Sequence, residues 1–164
     1  MIVKDAMILI HLAKIALLEK SCNYFKKIII ANKVYSEIMK GKEKGYGEVI
    51  LITDLINKRK INVGNVKDKR LVEKANKFNI RGGEAESVAL YWQEQAKYLA
   101  TDDDNVRKKS TFLNFRVIGT PAIILQLHKN KIIEKDKFIE SIKELKKIGW
   151  FSNSIIDKLF MEAE

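Results

Sequence analysis

Tyr98-Leu99-Ala100-Thr101-Asp102-Asp103-Asp104 is a short apolar run that ends, with no turn residue between, in a hydroxyl and three consecutive carboxylates. Near the amino terminus Ile2-Val3-Lys4-Asp5 has the same design, a brief run closed by an acid. Strands of a parallel sheet are covered on both faces, so they read as short apolar runs without polar alternation. Residues 27–31 and 116–118 fit that description, and 61–63 is a weaker fifth. The intervals between them have helical length and period: Ile8, Leu12 and Ile15 recur at i, i+4 and i+7. Strand and helix in alternation imply βαβ units, hence an α/β fold of three layers with a central parallel sheet and helices on both faces.

The last third is more helical. Residues 121–131, 135–147 and 153–161 read as three successive helices, with Gly149 at a C-cap position after Lys146 and Lys147. Phe138, Ile142 and Leu145 give the second of these an apolar stripe suited to core packing. The only boundary-like feature is residues 41–47, a Lys/Gly-rich turn between two helices. With no repeat, no linker and 164 residues, a single domain spanning 1–164 is expected.

At 46% hydrophobic, with one Pro and eight Gly, the chain is neither disordered nor collagen-like. Its formal charge of +10, from 31 Lys and Arg against 21 Asp and Glu, draws polyanions, so nucleic acid or an anionic membrane surface is the first partner class to consider. Cys22 stands alone and reads as a small buried hydrophobe in a reducing compartment. The apolar stretch 6–18 is interrupted by His11 and Lys14, too short for a span of ~20 residues. No small-residue cleavage site follows it, so a cytoplasmic protein without membrane attachment is expected.

In a basic chain the acids in unusual places carry the information. If the strands before Asp5 and Asp102 are neighbours, the two carboxylates lie side by side at one sheet edge. They then require a bound cation or raised pKa values. Each acid also has an ordinary explanation. Asp5 fits the N-cap of a helix beginning near Met7, and Thr101 with Asp104 spells a capping box. Glu84 follows Gly82-Gly83 and opens a helix over 84–97, where the macrodipole favours an acid. Glu86 lies about 200° around that helix, so only one of the two faces a given site. Glu37, in a short helix over 31–41, fits a surface ion pair with Lys33 or Lys40. His11 and His128 are far apart and in no ligand spacing, which makes them structural or surface residues.

Taken together, Val3-Lys4-Asp5 with Leu9-Ile10, Ser36-Glu37-Ile38, Gly83-Glu84-Ala85-Glu86, Thr101-Asp102-Asp103 and Val117-Ile118-Gly119-Thr120 resemble a PIN domain, the nuclease fold of VapC-type toxins. The likeness extends through Gly149-Trp150-Phe151 and the last helix. It implies a sheet of order 3-2-1-4-5 and a site of Asp5, Glu37, Glu84 and Asp102 holding Mg²⁺ or Mn²⁺, with Thr101 and Asp103 as auxiliary groups. Oxygen-only ligands suit such hard cations. Two positions depart from the family pattern. Ala6 stands where many members have Thr or Ser, and Glu84 lengthens an arm where Asp is commoner.

The resemblance further implies a metal-dependent endoribonuclease that leaves 5′-phosphate and 3′-hydroxyl ends. Arg107 and Lys108 would guide the substrate backbone. It would be the toxin of a type II toxin–antitoxin pair, held by a small antitoxin protein, and a homodimer is expected. The alternative is a non-catalytic RNA-binding or scaffold protein on the same fold. A haloacid-dehalogenase-type phosphatase is disfavoured because Met7 occupies the place of its second Asp. A receiver domain is disfavoured because Lys4-Asp5 supplies only one acid.

Overall fold

β1 (Ile2–Lys4) occupies the centre of the sheet because both its faces are apolar enough to be covered: Ile2 and Val3 are essentially inaccessible. The computed structural model describes residues 1–149 and 151–164. Around β1 lie β2 (Ile28–Ala31), β3 (Asn62–Gly64), β4 (Tyr98–Ala100) and β5 (Val117–Ile118), all parallel, in the order β3-β2-β1-β4-β5. This is the three-layer α/β/α architecture and the strand order expected. β3 begins one residue later than the sequence suggests, because Ile61 is buried ahead of the strand while the side chain of Asn62 donates to the Ile28 carbonyl.

The helices among the described residues are α1 (Ala6–Lys14), α2 (Leu18–Phe25), α3 (Asn32–Lys42), α4 (Gly47–Asn57), α5 (Lys69–Lys77), α6 (Gly82–Glu94), α7 (Asp104–Lys109), α8 (Thr120–Lys129), α9 (Lys135–Ile148) and α10 (Asn153–Ala163). α6 lies across β1, β2 and β4 and against α3 and α5, while α8 gathers α2, α9 and α10. α6 starts two residues before Glu84 and stops at Gln95, whose left-handed backbone (φ 48°) ends the helix before Lys97. Gly149 does follow α9, yet in extended rather than left-handed conformation, and the Phe151 ring lies where a Cβ on residue 149 would sit, so the position leaves no room for a side chain. No described helix is long and apolar enough to cross a membrane.

The register fixes what meets at the carboxyl edge. Lys4 pairs with Ala100, so the next residues, Asp5 and Thr101, emerge together. The Asp5 N–H still donates to the Ala100 carbonyl (3.1 Å) and the Thr101 N–H to that of Ile118 (3.0 Å), which holds both at the sheet rim. One residue back, Lys4 is fully buried, donates from Nζ to Ser21 Oγ (2.6 Å) and lies 5.4 Å from the Phe25 ring centre. Burial pulls its pKa down to about 8.

Candidate metal centre

Asp5 is both the N-cap of α1 and a member of the acidic rim. Its Oδ1 accepts the Ile8 N–H (2.9 Å), fixing the carboxylate over the end of β1 with 4% of the residue exposed. Its pKa is pushed up to about 7, first by burial and further by the charges of Asp102 and Glu84, while bonds from Thr101 and Ile8 oppose the shift.

Asp102, beside it at the end of β4, is satisfied by the protein. Its Oδ1 accepts the Thr120 N–H (2.8 Å), and its Oδ2 accepts the Thr120 hydroxyl (2.5 Å) and faces His11 Nδ1 (2.8 Å). The expected capping box does not form. α7 begins only at Asp104, so Asp103 is the cap, accepting the Val106 N–H (2.8 Å) while its own N–H donates to Thr101 Oγ1 (3.1 Å).

Glu84 stands in the first turn of α6, half-buried. Its pKa is raised by burial and then by the Asp103 and Glu37 charges. Gly82 (φ 58°) and Gly83 explain the local sequence. A Cβ on residue 83 would lie 2.6 Å from Glu37 Oε2, so the glycine lets α3 bring the Glu37 carboxylate against the start of α6. Glu86 faces elsewhere and accepts the Lys33 N–H (2.9 Å) at the start of α3.

A cavity of about 340 Å³ is lined by Asp5, Glu84, Asp102, Asp103, Asp104 and His11, with Met7, Ile148, Gly149 and Phe151 as its apolar wall. Three of the four predicted acids line it; Glu37 lies outside, at the Gly82–Gly83 end near Glu84. Among the described residues no three His, Cys, Asp or Glu side chains converge closely enough to chelate an ion. The donor set still suits a hard cation. Asp5, Glu84 and Asp103 present oxygens, and no described Lys or Arg forms an ion pair with any of them.

Of the predicted auxiliary residues, Thr101 and Asp103 organise the rim as described. Arg107 Nη1 reaches the Thr101 carbonyl (3.4 Å), and its guanidinium and Asp102 both crowd the position a Cβ on Gly119 would take. Lys108 is 74% exposed in its side chain and pairs with Asp104 (2.5 Å). His128, as expected, is structural: it stacks on Phe138 and faces the Ile133 carbonyl. His11 is instead part of the cavity, also meeting the Phe151 ring edge-on at 5.8 Å. Its signal was a place on the same helix: α1 carries Asp5 at its cap and His11 six residues on, but only the fold shows that both lie near Asp102. Thr120 was visible in the motif Gly119-Thr120, though nothing there indicated that it holds Asp102 by two bonds.

Carboxylates collected where the strand order of a parallel sheet reverses, between β1 and β4, define a class of α/β proteins whose chemistry lies at that edge. A family model described as a PIN domain (DUF3368) matches residues 1–164, and the chain belongs to the PIN domain family, a nuclease fold. No curated protein and no solved structure matches it.

Proposed function

We propose that the protein is a Mg²⁺- or Mn²⁺-dependent endoribonuclease. The observation that carries this reading is Asp5, a buried carboxylate beside Glu84 and Asp102 that no cationic side chain among the described residues pairs with, at the switch point of a nuclease fold. A divalent ion bound there would neutralise the scissile phosphate and lower the pKa of water. Asp5 and Asp102 would hold it, with Glu84 closing the cavity and Glu37 reaching in from the Gly83 side. Thr120 and His11 fix Asp102, and Thr101 with Ile8 fixes Asp5, so that the carboxylates keep their places as a phosphodiester enters. Arg107 beside Thr101, and Lys108 at the mouth, would position the substrate backbone.

The natural setting proposed is cytoplasmic, as a homodimer and as the toxin of a type II pair, restrained by a small antitoxin protein; this rests on the resemblance of the motifs alone. The test is cleavage of single-stranded RNA by the purified chain with and without Mn²⁺, alongside a matched DNA. Metal-dependent cutting that Asp5→Asn abolishes supports the enzyme. A metal-grade preparation that binds RNA and never cuts it favours the second reading, a non-catalytic RNA-binding or scaffold protein. That reading draws on one feature, the full engagement of Asp102 by protein donors.

A further inference from the structure

Phe112 is 75% exposed, an unusual state for a phenylalanine, and it does not stand alone. Its ring meets that of half-buried Phe78 edge-on, with centroids 5.3 Å apart. Phe78 caps the end of α5, and two contacts tie its loop to α7: Lys109 Nζ donates to the Phe78 carbonyl, and Asn105 Nδ2 donates to that of Asn79 (3.0 Å). The aromatic pair is therefore mounted on two elements fastened to each other. These same elements lead to the candidate metal centre: α7 starts at Asp103 and Asp104, and the loop after Phe78 runs through Arg81 into Gly82-Gly83-Glu84.

The segments that carry the pair are rich in cations. Lys77 and Arg81 stand on either side of Phe78 in the sequence and are exposed, and Lys108 and Lys109 lie in the last turn of α7, whose Arg107 turns its guanidinium toward Gly119 and Asp102. Of the two acids at the start of α7, Asp103 caps the helix and Asp104 pairs with Lys108. Exposed aromatic rings in a cationic groove are how proteins hold single strands, because every base offers a face for stacking and the groove follows the phosphates. An apolar partner protein would be met by Lys77, Arg81 and Lys109, none of them in an ion pair among the described residues; a polyanion is what these cations complement.

We propose that Phe112, braced by Phe78, is a stacking platform for an unpaired base of the substrate RNA, lying along α7 from the scissile position. The proposal rests on the nuclease reading for the word substrate, and its test separates the two. Binding of a short labelled single-stranded RNA is measured by fluorescence anisotropy in the Asp5→Asn chain, so that no cleavage intervenes, and is repeated with Phe112→Ala and Phe112→Trp added. The side chain is solvent-exposed, so thermal unfolding should be unaltered. Affinity falls by about tenfold with alanine and returns with tryptophan, as base stacking requires. The slope of log affinity against log salt is unchanged by alanine, whereas Lys77→Ala and Lys108→Ala each reduce it by about 0.7.

In the parent chain carrying Asp5, Phe112→Ala raises KM for RNA more than it lowers kcat. Equal affinity with and without the ring overturns the platform while leaving metal-dependent cleavage, and so the nuclease, intact. RNA binding that needs the ring in a chain that never cuts RNA keeps the platform and overturns the nuclease. Loss of self-association on Phe112→Ala, with RNA affinity unchanged, makes the patch a protein interface and also overturns the proposal.

Discussion

The two walls of the acidic cavity are made of the same residue type and treated in opposite ways. On one wall Asp102 receives three hydrogen bonds, two from Thr120 and one from His11, so folding has already answered its charge. On the other, Asp5 and Glu84 are pressed into burial beside like charges, and both titrate above their ordinary range. The contrast divides the work: the first wall sets geometry, and the second stores unneutralised charge that an external cation relieves. The strongest way to break this division is to substitute one acid from each wall. Asp5→Asn should reduce RNA cleavage on the order of a thousandfold and raise the melting temperature, since it removes a charge that folding leaves exposed to repulsion. Asp102→Asn should also abolish cleavage but lower the melting temperature, because an amide places donors where three protein donors already point. If both variants shift stability in the same direction, the two walls are not different.

Metal and pH sharpen the same point. An ion that binds only the folded chain at about a hundredfold its Kd stabilises by roughly 2.7 kcal/mol, or roughly 5–10 °C for a chain of this size. Millimolar Mn²⁺ should produce such a rise in differential scanning fluorimetry, and Asp5→Asn should remove most of it. Without metal, the sign of the pH effect follows from Asp5. Its folded pKa of about 7 lies above the ordinary 3.8, so the contribution to stability is full below that ordinary value and is lost as pH rises toward 7. The melting temperature of the metal-free chain should therefore carry a component that falls between those limits and is missing from Asp5→Asn. A pH dependence unchanged by that substitution would locate the strain elsewhere.

How much of this could be read without coordinates differs between the walls as well. The strands and the helical tail were legible in the residues, because strands of a parallel sheet announce themselves as short apolar runs; the strand order, and with it the approach of Asp5 to Asp102, was what the family resemblance implied, and the pairing of Lys4 with Ala100 brings those strand ends together. Glu84 was legible as an acid in a helix's first turn. The reason for the Gly82-Gly83 pair was not, because it lies in the close approach of a side chain from α3. His11 was hidden for a related reason: a histidine on an apolar helix face has the same pattern whether it packs or bonds a carboxylate ninety-one positions away. The capping box failed through a shift of helix start by a few residues, the feature that local pattern specifies least.

The geometric wall has its own test, with a smaller effect. His11→Ala removes one of the three bonds to Asp102 and leaves a space beside Phe151. The loss should cost about 1–3 kcal/mol, read as a few degrees in melting temperature. Thr120→Val should cost a similar amount, since it keeps the backbone N–H bond and deletes the hydroxyl. Both should reduce cleavage less than Asp5→Asn does, because Asp102 retains part of its support. A His11→Ala chain as inactive as Asp5→Asn would give the imidazole a direct part in the reaction rather than a positioning one.

The smallest expected effect asks whether Glu37, outside the cavity in this arrangement, belongs to the charged wall. Gly83→Ala places a methyl group 2.6 Å from Glu37 Oε2, so the carboxylate must move, and it can do so cheaply because Glu37 is exposed and its side chain flexible. The melting temperature should change by less than about 2 °C, the helix-propensity gain of alanine offsetting the displacement. If Glu37 serves the ion from the Gly83 side, cleavage should fall several-fold and the Mn²⁺ concentration for half-maximal activity should rise. Glu37→Gln should reproduce that shift without any steric change. Displacing Glu37 by Gly83→Ala while metal dependence stays unaltered would confine the charged wall to Asp5 and Glu84. The approach of α3 to α6 would then be a matter of packing alone.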